Sequence, residues 1–169
     1  RVTSEQIVPC AECRYCRRGE YHMCARHDIY GFRHRTPGAM AQYMIFPAGA
    51  LVHRIDAALP AAHAAFVEPL SCALHAVERA RLSFDDVVVV AGCGPIGLGM
   101  IAGARAKNPA RVIALDRVPA KLALARDCGA DLVIDIGTED TVSMIKDLTD
   151  GYGADVYLEG SGHPSAVGQ

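Results

Sequence analysis

The chain has 169 residues (18.0 kDa), of which 51% are hydrophobic and 21% charged. That composition matches ordinary soluble domains and excludes a disordered tail, a collagen-like repeat or a small disulfide-stapled toxin. A net charge of −2 and a pI near 6.4 leave no global basic footprint for nucleic acid. No apolar run approaches the ~20 residues a bilayer requires.

Residues 1–38 are polar and rich in cysteine, arginine and histidine, without a long periodic run, and read as a loop-rich lobe. Seven cysteines are unevenly placed: four fall between Cys10 and Cys24, while Cys72, Cys93 and Cys128 are scattered and read as small core fillers. An odd total with one tight cluster suits a metal site plus free thiols better than a disulfide framework. The start shows no signal-peptide pattern, so a cytoplasmic location is expected.

Further along, residues 43–46 and 50–52 read as short strands broken by Pro47 and Gly49. A short helix is expected over 61–66. Pro69 then interrupts the pattern, and a longer helix is expected over 70–80, with Leu70, Leu74 and Val77 at helical spacing. From residue 85 the pattern becomes regular. The run Val87–Ala91 is apolar and mostly β-branched, as suits a strand buried on both faces of a parallel sheet. A helix follows from Pro95 to about Lys107, then a strand over 111–116. Next come a helix over 119–128 capped by Gly129, a strand over 131–135, a helix over 141–149 and a strand over 155–159. Such alternation predicts βαβ units in an α/β fold.

The cysteine spacing is Cys10-x2-Cys13-x2-Cys16-x7-Cys24. Four thiolates within so short a segment can surround one tetrahedral zinc, and four cysteines leave no open position, so the ion is expected to be structural. Four thiolates on one zinc carry a net −2, which Arg14, Arg17, Arg18 and Arg26 would offset. An iron–sulfur cluster is the rival. Its bacterial pattern ends C-x3-C-P, whereas the last gap here is seven residues and Ala25 follows. His22 and His27 are alternative ligands but read better as solvated.

Gly92-Cys93-Gly94-Pro95-Ile96-Gly97 is a G-x-G-x-x-G between a buried strand and a helix, the context that gives this motif meaning. The first glycine allows the tight turn. The second lets backbone approach a diphosphate at the helix N-terminus, and the third lets helix and strand pack closely. Asp116 ends the next strand, nineteen residues after Gly97, where a carboxylate reaches ribose hydroxyls and repels a 2′-phosphate. NAD is therefore expected in preference to NADP. Arg117 beside it can accommodate a 2′-phosphate and so works against that preference, Lys121 one turn on could also reach the ribose, and a solvated charge is the plain alternative for both.

A zinc lobe followed by a dinucleotide fold resembles the zinc-containing medium-chain dehydrogenase/reductase family. Gly38-Ala39-Met40-Ala41-Gln42-Tyr43 is similar to the family's glycine-rich strand entry, with Ala39 at the usual second glycine. Glu68-Pro69-Leu70-Ser71 followed by His75 resembles its polyol and threonine dehydrogenase branch. The segments 24–32 and 68–79 most resemble bacterial polyol dehydrogenases of the sorbitol, xylitol and erythritol/threitol type.

The resemblance implies a partial Rossmann-type doubly wound parallel sheet over 81–169. Before it, over 1–80, would come part of a mainly-β GroES-like catalytic domain with its structural-zinc lobe at 8–28. It implies hydride transfer between a secondary alcohol, a polyol above all, and NAD, with a catalytic zinc acting as Lewis acid on the substrate hydroxyl. Glu68 would be a zinc ligand or would hold the zinc's water; a plain charge at a helix start is the third reading. On resemblance, Tyr30 and Phe32 line the substrate pocket. Ser161 and Gly162 follow the fourth strand, where ligands bind beyond strand carboxyl ends, and are expected to border the cofactor; His75 is expected to be packed or satisfied by backbone rather than catalytic.

The same resemblance implies a homo-oligomer, dimer or tetramer, with no nucleic-acid or membrane partner. It also implies that family members carry further zinc ligands upstream and further strands downstream. The 169 residues then correspond to roughly half of a two-domain enzyme and are expected to be inactive alone. L-Threonine or a simple alcohol is the alternative substrate. A non-catalytic NAD-binding zinc protein and a zinc-ribbon nucleic-acid module are the readings from other classes.

Overall fold

Residues 1–65 offer few consecutive apolar positions, and the regular elements there are correspondingly short. The computed structural model describes residues 1–32, 36–164 and 166. Strand β1 (Val2–Ser4) pairs antiparallel with β4 (Val52–Arg54), and β2 (Ile7–Val8) pairs antiparallel with β3 (Asp28–Ile29). Two 3-10 turns, Cys16–Arg18 and Tyr21–Met23, carry the cysteine segment. The expected strand at 43–46 does not form. Pro47 has no N–H to offer a ladder, the chain instead turns from Pro47 O to Ala50 N (3.0 Å), and pairing resumes only at Val52 opposite Ser4.

Helix α1 (Ala61–Ala65) ends the first of two compact units, Arg1–Ala65 and Phe66–Gln169. Helix α2 spans Val67–Ala80 and so begins three residues before the expected start. Pro69 lies in its first turn, where backbone N–H groups have no helical partner to lose, so it initiates the helix rather than breaking it.

The second unit follows the expected alternation. Its elements are β5 (Val87–Ala91), α3 (Pro95–Lys107), β6 (Arg111–Asp116), α4 (Pro119–Asp127), β7 (Leu132–Asp135), α5 (Thr141–Leu148) and β8 (Val156–Glu159). The four strands are parallel in the order β7-β6-β5-β8. Successive residues of a strand face opposite sides, and both sides here are covered. Val88, Val90, Val112 and Ala114 pack with Ala73 and Val77 of α2, Met100 and Ile101 of α3, and Leu122 of α4. Val89, Ala91, Ile113, Leu115 and Ile134 face Met144 and Ile145 of α5. Helices on both faces of a parallel sheet make this the doubly wound, Rossmann-type arrangement.

Gly129, at φ +106°, closes α4: the N–H of Ala130 bonds to Ala125 O and that of Gly129 to Arg126 O. Helix α2 lies on α3 within the second unit. Gly99 and Gly103 make this possible. A Cβ at Gly99 would sit 2.8 Å from Ala73 Cβ, and one at Gly103 would sit 2.9 Å from Leu74 Cδ2. No described helix is long and apolar enough to cross a membrane.

Candidate functional site

The cysteine segment winds through tight turns that aim four side chains inward. Ala11 and Gly19 take positive φ (59° and 78°), and Gly19 N closes the first 3-10 turn on Cys16 O. As a result the sulfurs of Cys10, Cys13, Cys16 and Cys24 all lie within 4.8 Å of one another. A tetrahedral ion with Zn–S bonds of ~2.3 Å needs sulfurs about 3.8 Å apart, and those of Cys10 and Cys16 are 3.9 Å apart. A polynuclear iron–sulfur cube would hold its thiolates farther apart than this. The four cysteines are free thiols, so the geometry fits one ion rather than disulfides.

Backbone N–H groups point at the sulfurs: Cys10 N donates to Cys24 Sγ and Cys13 N to Cys10 Sγ, each at 3.3 Å. Hydrogen bonds from the backbone of Ala25 and Cys16 bring the Cys13 thiol down to about 6. Burial and hydrogen bonds with the neighbouring thiols push Cys16 up to about 12. Like charges crowd this site until a cation shares it. Two of the nearby arginines have other partners: Arg26 pairs with Glu12, and the Arg14 guanidinium lies 4.9 Å from the centroid of the Tyr15 ring. His22 and His27 are exposed and stand outside the sulfur group, the one group of three or more potential metal ligands among the described residues.

The second site is a cleft of about 350 Å³ beyond the carboxyl ends of β5, β6 and β8. Here the strand order reverses direction from β5, the position where open α/β sheets bind ligands. Gly92, at φ +90°, makes the turn out of β5, and the α3 N-cap Gly94 has no side-chain cap. A Cβ on Gly94 would meet no protein atom within 4 Å, so the missing side chain leaves open the space beside uncapped N–H groups. That is the cradle a diphosphate requires. Gly97 serves packing, since its Cβ would lie 1.7 Å from Gly92 O.

Asp116 ends β6 at the cleft. Its Oδ2 accepts the N–H of Cys93 (2.8 Å), and its Oδ1 accepts those of Arg117 (2.8 Å) and Val118 (3.0 Å). The carboxylate is thereby fixed in place and tied to the glycine turn. Cys93 is buried, and burial first, then the Asp116 charge, pushes its thiol up to about 11; it is a neutral filler.

Of the expected cofactor residues, Gly92, Gly94, Asp116, Arg117 and Lys121 line the cleft, whereas Pro95, Ile96 and Gly97 do not. Pro95 is exposed at the first helical position, and Ile96 packs against the core. Ser161 lines the cleft and Gly162 does not. The sequence reading missed the apolar walls Val118 and Ile136, together with Gly160 and His163. Their signal was positional: each falls within a few residues of a strand's carboxyl end.

Glu68 lies exposed in the first turn of α2, where Cys72 Sγ donates to its Oε1 at 3.4 Å. Cys72 is exposed and is not a core filler, because it falls off the stripe formed by Leu70, Ala73, Leu74 and Val77. His75 is also exposed. In the first unit, Tyr30 packs edge-on against Phe46 with ring centroids 6.0 Å apart and its hydroxyl buried without a hydrogen-bond partner among the described residues, while Phe32 is 81% exposed.

A four-sulfur group that fits one zinc, and a cleft beyond the carboxyl ends of a parallel sheet, place the chain among zinc-binding proteins with a Rossmann-type fold. Residues 1–57 match the family pattern described as alcohol dehydrogenase GroES-like domain, and residues 95–169 match that described as zinc-binding dehydrogenase. The chain belongs to the zinc-containing medium-chain dehydrogenase family. It is 69% identical to erythritol/L-threitol dehydrogenase of Mycolicibacterium smegmatis, over 100% of this chain and 47% of that protein. It is 38% identical to L-threonine 3-dehydrogenase of Bacillus subtilis, over 99% of this chain and 47% of that one.

Among solved structures, an Escherichia coli oxidoreductase of unknown specificity superposes with a TM-score of 0.89 at 28% identity, covering 99% of this chain and 48% of that one. An alcohol dehydrogenase from Escherichia coli complexed with NADH gives 0.84 at 25% identity, covering 97% and 48%. The chain spans about half the length of the curated relatives it matches.

Proposed function

We propose that this chain supplies the structural-zinc lobe and the adenosine side of the cofactor cleft of an NAD-dependent polyol dehydrogenase. Its substrates would be four-carbon polyols of the erythritol and threitol kind. The observation that carries the substrate class is 69% identity to an erythritol/L-threitol dehydrogenase along the whole chain, against 38% to an L-threonine dehydrogenase. When bound, NAD would supply the hydride acceptor and a catalytic zinc would supply Lewis acidity toward the substrate hydroxyl.

This chain's residues have narrower tasks. The uncapped start of α3 and the open face of Gly94 receive the anionic diphosphate. Asp116, oriented by three backbone N–H groups, accepts the ribose hydroxyls and disfavours a 2′-phosphate. Val118 and Ile136 give the base apolar contact. Arg117 and Lys121 border the same space, and their charges moderate the selectivity of Asp116. Glu68, with the Cys72 thiol on its carboxylate, serves the catalytic zinc as ligand or holds its water.

The test is a substrate panel with the whole protein that carries this sequence, followed by NADH absorbance. Erythritol and threitol are expected to be oxidised with higher kcat/KM than sorbitol or L-threonine. A preference for L-threonine, or no oxidation of any polyol, would overturn the assignment.

A further inference from the structure

One wall of the cleft is the loop after β8, where Gly160, Ser161 and His163 face the cavity. That loop is folded around a single carboxylate. Glu159 Oε1 accepts the N–H of Ser161 (2.7 Å), the N–H of Gly162 (3.0 Å) and the Ser161 hydroxyl. Ser161 Oγ in turn accepts the N–H of His163 at 3.1 Å. The hydrogen bonds from Ser161 hold the Glu159 carboxyl below the ordinary glutamate value. The loop is also seated on the glycine turn. Gly160 N donates to Ala91 O at 2.8 Å, and a Cβ at Gly92 would lie 2.7 Å from both N and Cα of Ser161. Glu159 itself does not line the cavity.

We propose that Glu159 is a positioning residue for the dinucleotide: its carboxylate latches residues 160–163 against the glycine turn and so sets the wall that Ser161 and His163 present to the cofactor. The inference rests on the cofactor reading of the cleft. It makes a prediction of distinctive sign. The diphosphate is anionic, so an acidic group acting through charge alone weakens binding, and its removal would tighten it. A latch does the opposite. Glu159→Ala removes both charge and acceptor, whereas Glu159→Gln removes the charge but keeps an amide oxygen able to accept the same N–H groups.

The experiment is a fluorescence titration of the zinc-loaded 169-residue chain with NADH, for the wild type, Glu159→Ala, Glu159→Gln and Ser161→Ala, alongside thermal unfolding of each. The latch predicts that Glu159→Ala raises Kd about tenfold and that Ser161→Ala raises it by a smaller factor. Glu159→Gln should bind as tightly as wild type or more tightly, with unchanged unfolding midpoints. Wild-type affinity or better in Glu159→Ala overturns the latch while leaving the cofactor site standing. Equal losses in the Ala and Gln variants overturn it too, because the acceptor oxygen that Gln keeps would then not be what holds the loop. If Glu159→Ala does not fold, undiminished affinity in Ser161→Ala overturns the latch. Wild-type chain that fails to bind NADH removes the cofactor reading and the latch with it.

Discussion

Asp116 shows how much one side chain can be asked to do. Its two oxygens hold the N–H groups of Cys93, Arg117 and Val118 while the residue lines the cleft, so it joins the glycine turn to the end of β6 and carries the proposed ribose contact as well. Asp116→Ala should therefore lower the NAD-to-NADP selectivity by about tenfold, or ~1.4 kcal/mol, and weaken NAD as well because the turn loses its tie. The check is the ratio of kcat/KM for the two cofactors in the whole protein; an unchanged ratio removes the role given to the acid. The position of Asp116 at a strand end on the cleft was legible because motif spacing and strand end both point to it. Cys72 was misread because residue type alone suggested a filler. Its angular position on α2, away from Ala73 and Val77, decides its exposure.

At the scale of elements, the contact between α2 and α3 depends on glycines at i and i+4. Alanine has the higher helix propensity, by ~1 kcal/mol, so Gly99→Ala would stabilise an isolated helix. Here the new methyl would meet Ala73 Cβ at 2.8 Å, and a side chain that short cannot swing away. We expect a net loss of about 1–3 kcal/mol in urea unfolding, the cost of overpacking, and a gain in stability would contradict the packing described. The alternation of strands and helices from residue 85 onward was readable from periodicity and turn residues. The start of α2 was not, because a proline within a helical pattern and a proline in its first turn look alike until the preceding residues are seen to be helical. Residues 43–46 have strand-like side chains, but a strand also needs a partner, and none pairs with them among the described residues.

For the molecule as a whole, the two units are held together internally by different means. The second has a layered apolar core on both faces of its sheet. The first has two-stranded ladders of two and three residues and a buried Cys24 within the sulfur group. Small units with little core depend on metal. Metal analysis should find one zinc per chain at Cys10, Cys13, Cys16 and Cys24. Chelation should make residues 1–65 susceptible to protease while 66–169 stay resistant. Absence of zinc, or iron with sulfide in its place, would overturn the metal assignment, and loss of both units together would overturn the separate dependence.

The residue order alone sufficed for what is encoded over short stretches: four thiols able to close on one ion, a glycine turn between strand and helix, an acid at the next strand end, and the βαβ rhythm. These features are local because turns, helical faces and ligand spacing involve residues a few positions apart. Packing settled the rest. The placement of α2 with the second unit, the two helix glycines, the apolar cleft walls Val118 and Ile136, and the loop gathered around Glu159 all depend on residues distant in sequence. They become neighbours only once the parallel sheet has brought its strand ends together.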